Sequence, residues 1–201
     1  MAKSLNKSRM RDSRLVLILA LLAAFFTKAF IPSDGEAHEV MEFIGYVLVA
    51  FCALGRLYST AFLGGHKNQT LITYGAFSIV RNPLYFFSFV GITGIALISA
   101  HIVIIAVLPI VFFVMYHYLI KREEVFLQEQ FGEAYAQYKK DVPRFFPNFK
   151  LYQAPDTIEA VPKYLTKALK DAIWWFAAFP IFELAEKLQK LGYIKTLFML
   201  P

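Results

Sequence analysis

Polar side chains that could carry chemistry collect in two places along an otherwise apolar chain. The first is the connector 69–85, QTLITYGAFSIVRNPLY, which contains Arg81 near its end. The second is the charged run KREE, which ends with Glu123 and Glu124. A carboxylate in low-dielectric surroundings could hold an ammonium or sulfonium group. Taken singly, these residues also fit structural roles, as solvated helix charges for the glutamates and as a phosphate anchor for Arg81.

Arg56 is a third candidate, because it lies inside a long apolar segment. An arginine within a membrane span is costly and usually faces a polar cavity or a partner. The alternative is that Arg56 lies at the headgroup level and extends its guanidinium to the surface. The sequence leaves both positions open.

Signals of other kinds of site are missing. The chain has no Gly-x-Gly-x-x-Gly, no phosphate loop and no His-Glu-x-x-His, and its four histidines are scattered. Cys52 is the only cysteine, so neither an intrachain disulfide nor a cysteine metal site is predicted. The net charge of +6 comes from basic residues beside apolar segments, which indicates membrane orientation rather than nucleic-acid binding.

The composition is typical of an integral membrane protein. Of 201 residues, 58% are apolar and only 18% are charged, which is too little charge for a soluble domain of this size. Four segments are apolar enough to be predicted as spans: 15–31, 40–63, 83–100 and 102–120. The predicted fold class is therefore all-α, an integral membrane helical bundle with four or possibly five spans.

Charge distribution predicts how these spans are oriented. The first 14 residues carry five Lys and Arg against one Asp, and no signal-peptide cleavage site follows, so a cytoplasmic N-terminus is expected. The acidic segment 32–39 and the short turn at His101 then lie outside, whereas the connector 69–85 opens to the cytoplasm. In span three, Ser88, Gly91 and Gly94 form a small-residue stripe that lets another helix approach closely.

Helical patterns continue beyond the fourth predicted span. Apolar residues from Leu127 to Tyr138 predict an amphipathic cytoplasmic helix that ends at Val142-Pro143. We expect residues 1–150 to form the main membrane domain and residues 151–201 a helical extension. Within the extension, the apolar segment 172–185 is short and contains Pro180, which favours an interfacial or re-entrant helix over a fifth span.

The order of these motifs is more specific than any one of them. The connector contributes Gln69, Leu71, Ile72, Thr73, Gly75, Phe77, Arg81, Asn82, Pro83 and Tyr85. A predicted helical hairpin follows, and then Glu123-Glu124, Phe131-Gly132, Tyr135, Tyr138, Val142-Pro143-Arg144 and Pro147. Over residues 60–147 this arrangement resembles the superfamily of isoprenylcysteine carboxyl methyltransferases and phospholipid methyltransferases.

The resemblance implies a membrane-embedded methyltransferase that uses S-adenosylmethionine without a Rossmann domain. By position it assigns the cofactor to ten residues: Gln69, Thr70, Leu71, Ile72, Phe77, Asn82, Pro83, Leu84, Tyr85 and Glu123. On chemical grounds, Arg56, Arg81 and Glu124 are the candidates for the acceptor side. The implied acceptor is a lipid or a lipidated molecule.

Four positions depart from the superfamily's usual pattern. Gln69 and Asn82 stand where His is frequent, Phe77 where Tyr is frequent, and Phe87 where Gly is frequent. A histidine base at position 82 is therefore excluded, and the prenylcysteine assignment is weakened more than the methyltransferase one.

Several acceptors and functions stay open at this point. An isoprenylcysteine-like carboxylate is favoured as the methyl acceptor; it is ionised at pH 7 and would need only a cation such as Arg56 or Arg81 to orient it. The two arginines and two glutamates do not by themselves decide between the acceptors. The alternatives are a phospholipid amine, which would need a base such as Glu124, a membrane isoprenoid or sterol-type reductase, and a non-catalytic membrane adaptor.

Overall fold

A computed structural model describes residues 27–29, 35–64, 69–194 and 198–200. Most of the predicted first span, 15–31, lies outside these residues. Its described part differs from the predicted helix, because Thr27–Ala29 forms a strand, β1, that pairs in parallel with Phe198–Leu200, β2. Apart from these two three-residue strands, the regular secondary structure of the described chain is helical, in agreement with the all-α prediction.

The first described helix, α1, comprises Glu36–Leu63. It begins after Gly35, and Glu36 and Glu39 in its first turn interact favourably with the positive end of the helix dipole. It ends at Gly64. At 1.5 Å per residue its 28 residues extend about 42 Å, which is more than the hydrocarbon thickness of a bilayer.

A helical hairpin follows the connector. The connector contains a four-residue helix, α2, at Ala76–Ile79, and the hairpin consists of α3, Pro83–Ile98, and α4, Ile102–Asp141. Pro83 begins α3 because its fixed φ suits the first helical turn and its missing N–H is not needed there.

The turn of this hairpin is packed into the protein. His101 lies between α3 and α4, as predicted for a turn residue, and its side chain is buried. It caps the start of α4, and its Nδ1 lies 2.5 Å from the carbonyl oxygen of Ser99. Because a carbonyl can only accept, Nδ1 carries the proton in this contact.

Helix α4 has 40 residues and changes direction near its end. Gly132 has φ 53° and ψ −125°, a conformation that side chains with a Cβ rarely adopt. The last turns of α4 are therefore reoriented relative to the apolar part. The helix ends at Asp141, next to Val142-Pro143, as predicted.

The predicted small-residue stripe packs α3 closely against α1. A Cβ added to Gly94 would lie 2.6 Å from the carbonyl oxygen of Gly45, and one added to Gly45 would lie 2.6 Å from that of Gly94. Further along, the ring of Phe87 occupies the space that a side chain at Gly55 would need. The unusual Phe87 is thus accommodated by a glycine on the facing helix.

The C-terminal segment contains two helices, α5 at Pro162–Phe176 and α6 at Ala178–Lys190. The break at Ala177 precedes Pro180 by three residues, because a proline ring clashes with the carbonyl one turn earlier. A proline effect was predicted here, and the break lies in the turn before the proline.

Helices α5 and α6 follow α1 in the antiparallel direction. Tyr164 lies against Gly64 at the end of α1, and His38 Nε2 lies 3.7 Å from a carboxylate oxygen of Glu186 near its start. Between these two points, Phe182 joins the main hydrophobic core, which also contains Val49, Ile95, Ala96, Ile98, Ile104 and Leu108.

Two described helices, α1 and α4, are long and apolar enough to cross a membrane. In their most apolar 18-residue windows only 28% and 17% of the residues are buried, so most of this apolar surface faces outward. Helix α3 is also apolar but has only 16 residues. Outward-facing apolar helices of this length are typical of a membrane protein.

Candidate cofactor and acceptor site

The connector is shaped by Gly75. Its φ of 62° favours glycine, and a Cβ there would lie 2.5 Å from the ring of Phe62. The Gly75 N–H donates to the carbonyl of Gln153 at 2.6 Å, and its carbonyl accepts from the Ser78 hydroxyl at 2.8 Å. The connector is thus fixed between the end of α1 and the chain that follows α4.

Backbone contacts join the connector to the segment after α4. The Arg81 N–H donates to the carbonyl of Pro143 at 2.9 Å, and the Asn82 side-chain amide donates to the carbonyl of Arg144 at 3.0 Å. The Asn148 N–H donates to the carbonyl of Ile79 at 2.9 Å. These pairings place the Arg-Asn-Pro motif of the connector next to the Val-Pro-Arg motif after α4.

Two tyrosines of the reoriented end of α4 lie beneath the connector. The Tyr138 hydroxyl donates to the carbonyl of Phe77 at 2.6 Å. Burial raises the pKa of Tyr138, with a smaller contribution from Tyr135. Burial, followed by the charge of Glu124, likewise raises the pKa of Tyr135. Both hydroxyls therefore stay protonated at neutral pH, and that of Tyr138 remains a donor.

Glu124 forms an ionic clamp between two arginines. One of its oxygens lies 3.1 Å from a terminal guanidinium nitrogen of Arg81, and the other lies 3.2 Å from Nε of Arg144. Arg81 also donates to the carbonyl of Lys139 at 2.6 Å. The clamp consists of Arg81, Glu124 and Arg144, and it joins the connector, α4 and the segment after α4.

Glu123 faces a different direction from its neighbour. Consecutive residues of a helix are about 100° apart around its axis, so Glu123 and Glu124 lie on different faces. The Tyr85 hydroxyl donates to a carboxylate oxygen of Glu123 at 2.7 Å. The Tyr85 ring contacts Tyr116 edge to face, with ring centroids 4.9 Å apart.

A cavity of about 620 Å³ lies between the connector and helices α1, α3, α4 and α5. Nine of the ten residues predicted for the cofactor line it: Thr70, Leu71, Ile72, Phe77, Asn82, Pro83, Leu84, Tyr85 and Glu123. Gln69 is described but is not on the cavity wall. Of the three acceptor candidates, Arg56 and Arg81 line the cavity, whereas Glu124 lies in the ionic clamp.

Arg56 is held on the cavity wall by neutral groups. One terminal nitrogen donates to the Ser88 hydroxyl and approaches the carbonyl of Leu84 at 3.4 Å. Its guanidinium lies over the Trp175 ring, 5.8 Å from the centroid. Within the described ranges no carboxylate pairs with Arg56. The positive charge of Arg81, in contrast, is already compensated by Glu124.

The C-terminal extension supplies part of the wall, which sequence reasoning missed. Asp171, Trp174 and Trp175 line the cavity, together with Ser88 and Tyr116 from the helical hairpin. The three α5 residues have the i, i+3, i+4 spacing of one helix face, which is a detectable signal. Trp174 and Trp175 also fit a membrane-interface pattern, because they neighbour an apolar run.

Comparisons with known proteins find similarity to methyltransferases. Residues 40–134 match the family model described as phospholipid methyltransferase. The chain is 30% identical over 82 residues to the protein-S-isoprenylcysteine O-methyltransferase of Schizosaccharomyces pombe, which covers 41% of this chain and 35% of that protein. Both matches support the resemblance to the superfamily of isoprenylcysteine carboxyl methyltransferases and phospholipid methyltransferases.

Two relatives match more of the chain. The cobalt-zinc-cadmium resistance protein CzcN of Cupriavidus metallidurans is 29% identical over 76% of this chain and 70% of its own length. The nickel-cobalt-cadmium resistance protein NccN of Alcaligenes xylosoxydans xylosoxydans is 27% identical over 92% of this chain and 87% of its own length. No solved structure matches the chain.

The ionic clamp predicts that Glu124 contributes more to stability than an exposed glutamate of the same helix. Glu124→Gln leaves two partly buried arginines without their carboxylate, so we expect a loss of roughly 1–3 kcal/mol in the free energy of unfolding. Glu129→Gln is the control, because Glu129 is exposed on the same helix. Thermal unfolding of both variants in detergent measures the difference, and equal melting temperatures would contradict a structural role for the clamp.

Proposed function

We propose that this protein is a membrane-embedded methyltransferase that uses S-adenosylmethionine and methylates a carboxylate on a lipid-borne acceptor. The resemblance to the superfamily supports the reaction class. The observation that carries the acceptor proposal is Arg56, a cation on the cavity wall that has no carboxylate partner within the described ranges.

The residues of the cavity fit the cofactor. A volume of about 620 Å³ is within the usual range for a site that holds a ligand of this size. Glu123, oriented by the Tyr85 hydroxyl, offers a negative charge to a cationic ligand. Leu71, Ile72 and Leu127 offer apolar contacts suited to a nucleoside. When bound, S-adenosylmethionine supplies an activated methyl group on a sulfonium.

The remaining task of the chain is to hold the acceptor. A carboxylate is ionised at neutral pH, so no residue needs to remove a proton from it. Arg56 can orient such a group with the guanidinium donors that Ser88 and Leu84 do not use. An uncompensated arginine inside a membrane protein is costly, and an anionic ligand offsets that cost. Arg81 acts as a structural residue in the ionic clamp.

A phospholipid amine is the second candidate acceptor. Asp171 is exposed and lines the cavity beside Trp174, and a carboxylate with an aromatic ring is a combination that attracts ammonium groups. Arg56 argues against this acceptor, because it would repel a protonated amine inside the same cavity.

Five membrane crossings are proposed for the whole chain: residues 15–31, α1, α3, α4, and α5 with α6 as one broken passage. The last crossing is supported by the contacts that α5 and α6 make along α1, from Tyr164 at Gly64 to Glu186 at His38. The pairing of β1 with β2 is consistent with a C-terminus on the same side as the start of α1. The mouth of the cavity beside the connector is then cytoplasmic.

The names of CzcN and NccN connect those relatives with metal resistance. Among the residues that the structure describes, no group of three or more His, Cys, Asp or Glu is arranged to hold a metal ion. The proposal for this chain, methylation of an acceptor, calls on no metal ion.

Binding of S-adenosylhomocysteine tests the cofactor assignment. We expect calorimetry of the detergent-purified protein to detect binding, and Glu123→Gln to weaken it about 10- to 100-fold, because a hydrogen bond to a charged group is lost. Glu129→Gln should leave the affinity unchanged. Absence of binding to the unmodified protein, together with thermal protection by a nicotinamide cofactor, would favour a reductase instead.

The acceptor class is tested by incubation with radiolabelled S-adenosylmethionine and a membrane lipid extract. A carboxylate acceptor gives a base-labile ester that releases volatile label. We then expect Arg56→Gln to lower kcat/KM about 10- to 100-fold, since charged hydrogen bonds to the acceptor are lost. Asp171→Asn should have little effect or raise activity. Base-stable label in lipid, lost in Asp171→Asn and kept in Arg56→Gln, would identify an amine acceptor.

The fifth crossing is tested by labelling introduced cysteines. In a Cys52→Ser background, Glu159→Cys and Tyr193→Cys place exposed thiols before α5 and after α6. We expect a membrane-impermeant maleimide to reach these two thiols from opposite sides of sealed vesicles. Labelling of both from one side would show that α5 and α6 return to the same surface.

A further inference from the structure

Trp175 occupies a central position in the C-terminal passage. Its ring lies against Gly91 of α3, where an added Cβ would be 2.7 Å from the indole and would displace it. The same ring packs against the main hydrophobic core. The indole is therefore fixed between α1 and α3 at the depth of Arg56.

The Trp175 ring restrains Arg56 in addition to its two hydrogen-bond acceptors on α3. Leu84 and Ser88 accept hydrogen bonds from one terminal nitrogen, and the guanidinium carbon lies over the Trp175 ring. An arginine side chain is long and loses considerable rotational freedom when it binds a ligand. A ring that holds the guanidinium before the ligand arrives reduces that loss, without using any of its N–H donors.

We propose that α5 forms the acceptor-recognition wall of the cavity, and that Trp175 is a positioning residue which holds Arg56 for the carboxylate of an apolar-chain acceptor. This inference rests on the proposed function and extends it to a part of the chain outside the family match, which ends at residue 134. Acceptor selectivity is then encoded in the C-terminal extension, whereas the predicted cofactor residues lie within the matched region.

The arrangement of the walls supports an apolar-chain acceptor. Glu123 and Tyr116 of α4 lie on one wall, and Trp174 and Trp175 of α5 on another. Helix α3 packs on both α1 and α4, and α5 packs on α1, whereas α4 and α5 do not pack extensively against each other. Trp174 has 76% of its surface exposed between these walls. A lipid chain can leave the cavity along this apolar opening while its headgroup stays beside Arg56.

The test measures binding of a carboxylate probe without requiring turnover. Palmitate and its uncharged amide, palmitamide, are titrated into the full chain in nanodiscs. We expect Trp175→Ala to weaken palmitate binding about 5- to 30-fold, the range of a desolvated cation–π contact, and to leave palmitamide binding unchanged. Trp175→Phe should restore most of the affinity for palmitate, because it keeps an aromatic face.

Ile173→Ala is the matched control, since Ile173 is an exposed apolar residue of the same helix and does not line the cavity. Palmitate affinity that is absent in the unmodified protein, unchanged in Trp175→Ala, or lost equally for palmitamide overturns the inference. S-adenosylhomocysteine binding separates the two proposals. If S-adenosylhomocysteine binding is normal in all variants while palmitate binding is unchanged in Trp175→Ala, only the proposed role of α5 is contradicted. If it is absent from the unmodified protein, the proposed reaction fails independently.

Discussion

The structure depends on one carboxylate that is shared between two arginines. Glu124 joins Arg81 of the connector to Arg144 of the segment after α4, and both partners are largely withdrawn from solvent. The neighbouring backbone pairings from Arg81 and Asn82 extend this junction. Together with the Tyr138 contact to Phe77, this junction holds the connector against α4, where it forms a wall of the cavity.

Glu123 and Glu124 have different surroundings because adjacent residues of a helix point in different directions. Glu124 is compensated and structural, whereas Glu123 reaches the cavity with Tyr85 as its partner. The arginines divide in the same way, since Arg81 is paired and Arg56 is held only by neutral groups. The cavity therefore has a negative charge on its α4 wall and a positive charge on its α1 wall, which suits a cationic cofactor and an anionic acceptor.

Complementary pairs of large and small residues connect the superfamily core with the rest of this chain. Phe87 fills the space at Gly55, and Trp175 and Cys52 together fill the space at Gly91. The first pair accounts for a residue that departs from the superfamily pattern. The contact of Trp175 with Gly91 brings the C-terminal helix α5 to the cavity and to the proposed acceptor side of the site.

The sequence by itself determined the helices α1, α3 and α4, because they depend on local properties: apolar composition, Pro83 at a helix start, Val142-Pro143 at a helix end, and small residues at helical spacing. Motif order also indicated the superfamily and the connector. Only the tertiary structure decided that Glu124 pairs while Glu123 lines the cavity, that Arg56 lacks a carboxylate partner in the described chain, that His101 is buried, and that Trp175 reaches the site. These outcomes depend on contacts between residues distant in sequence, which no local pattern encodes.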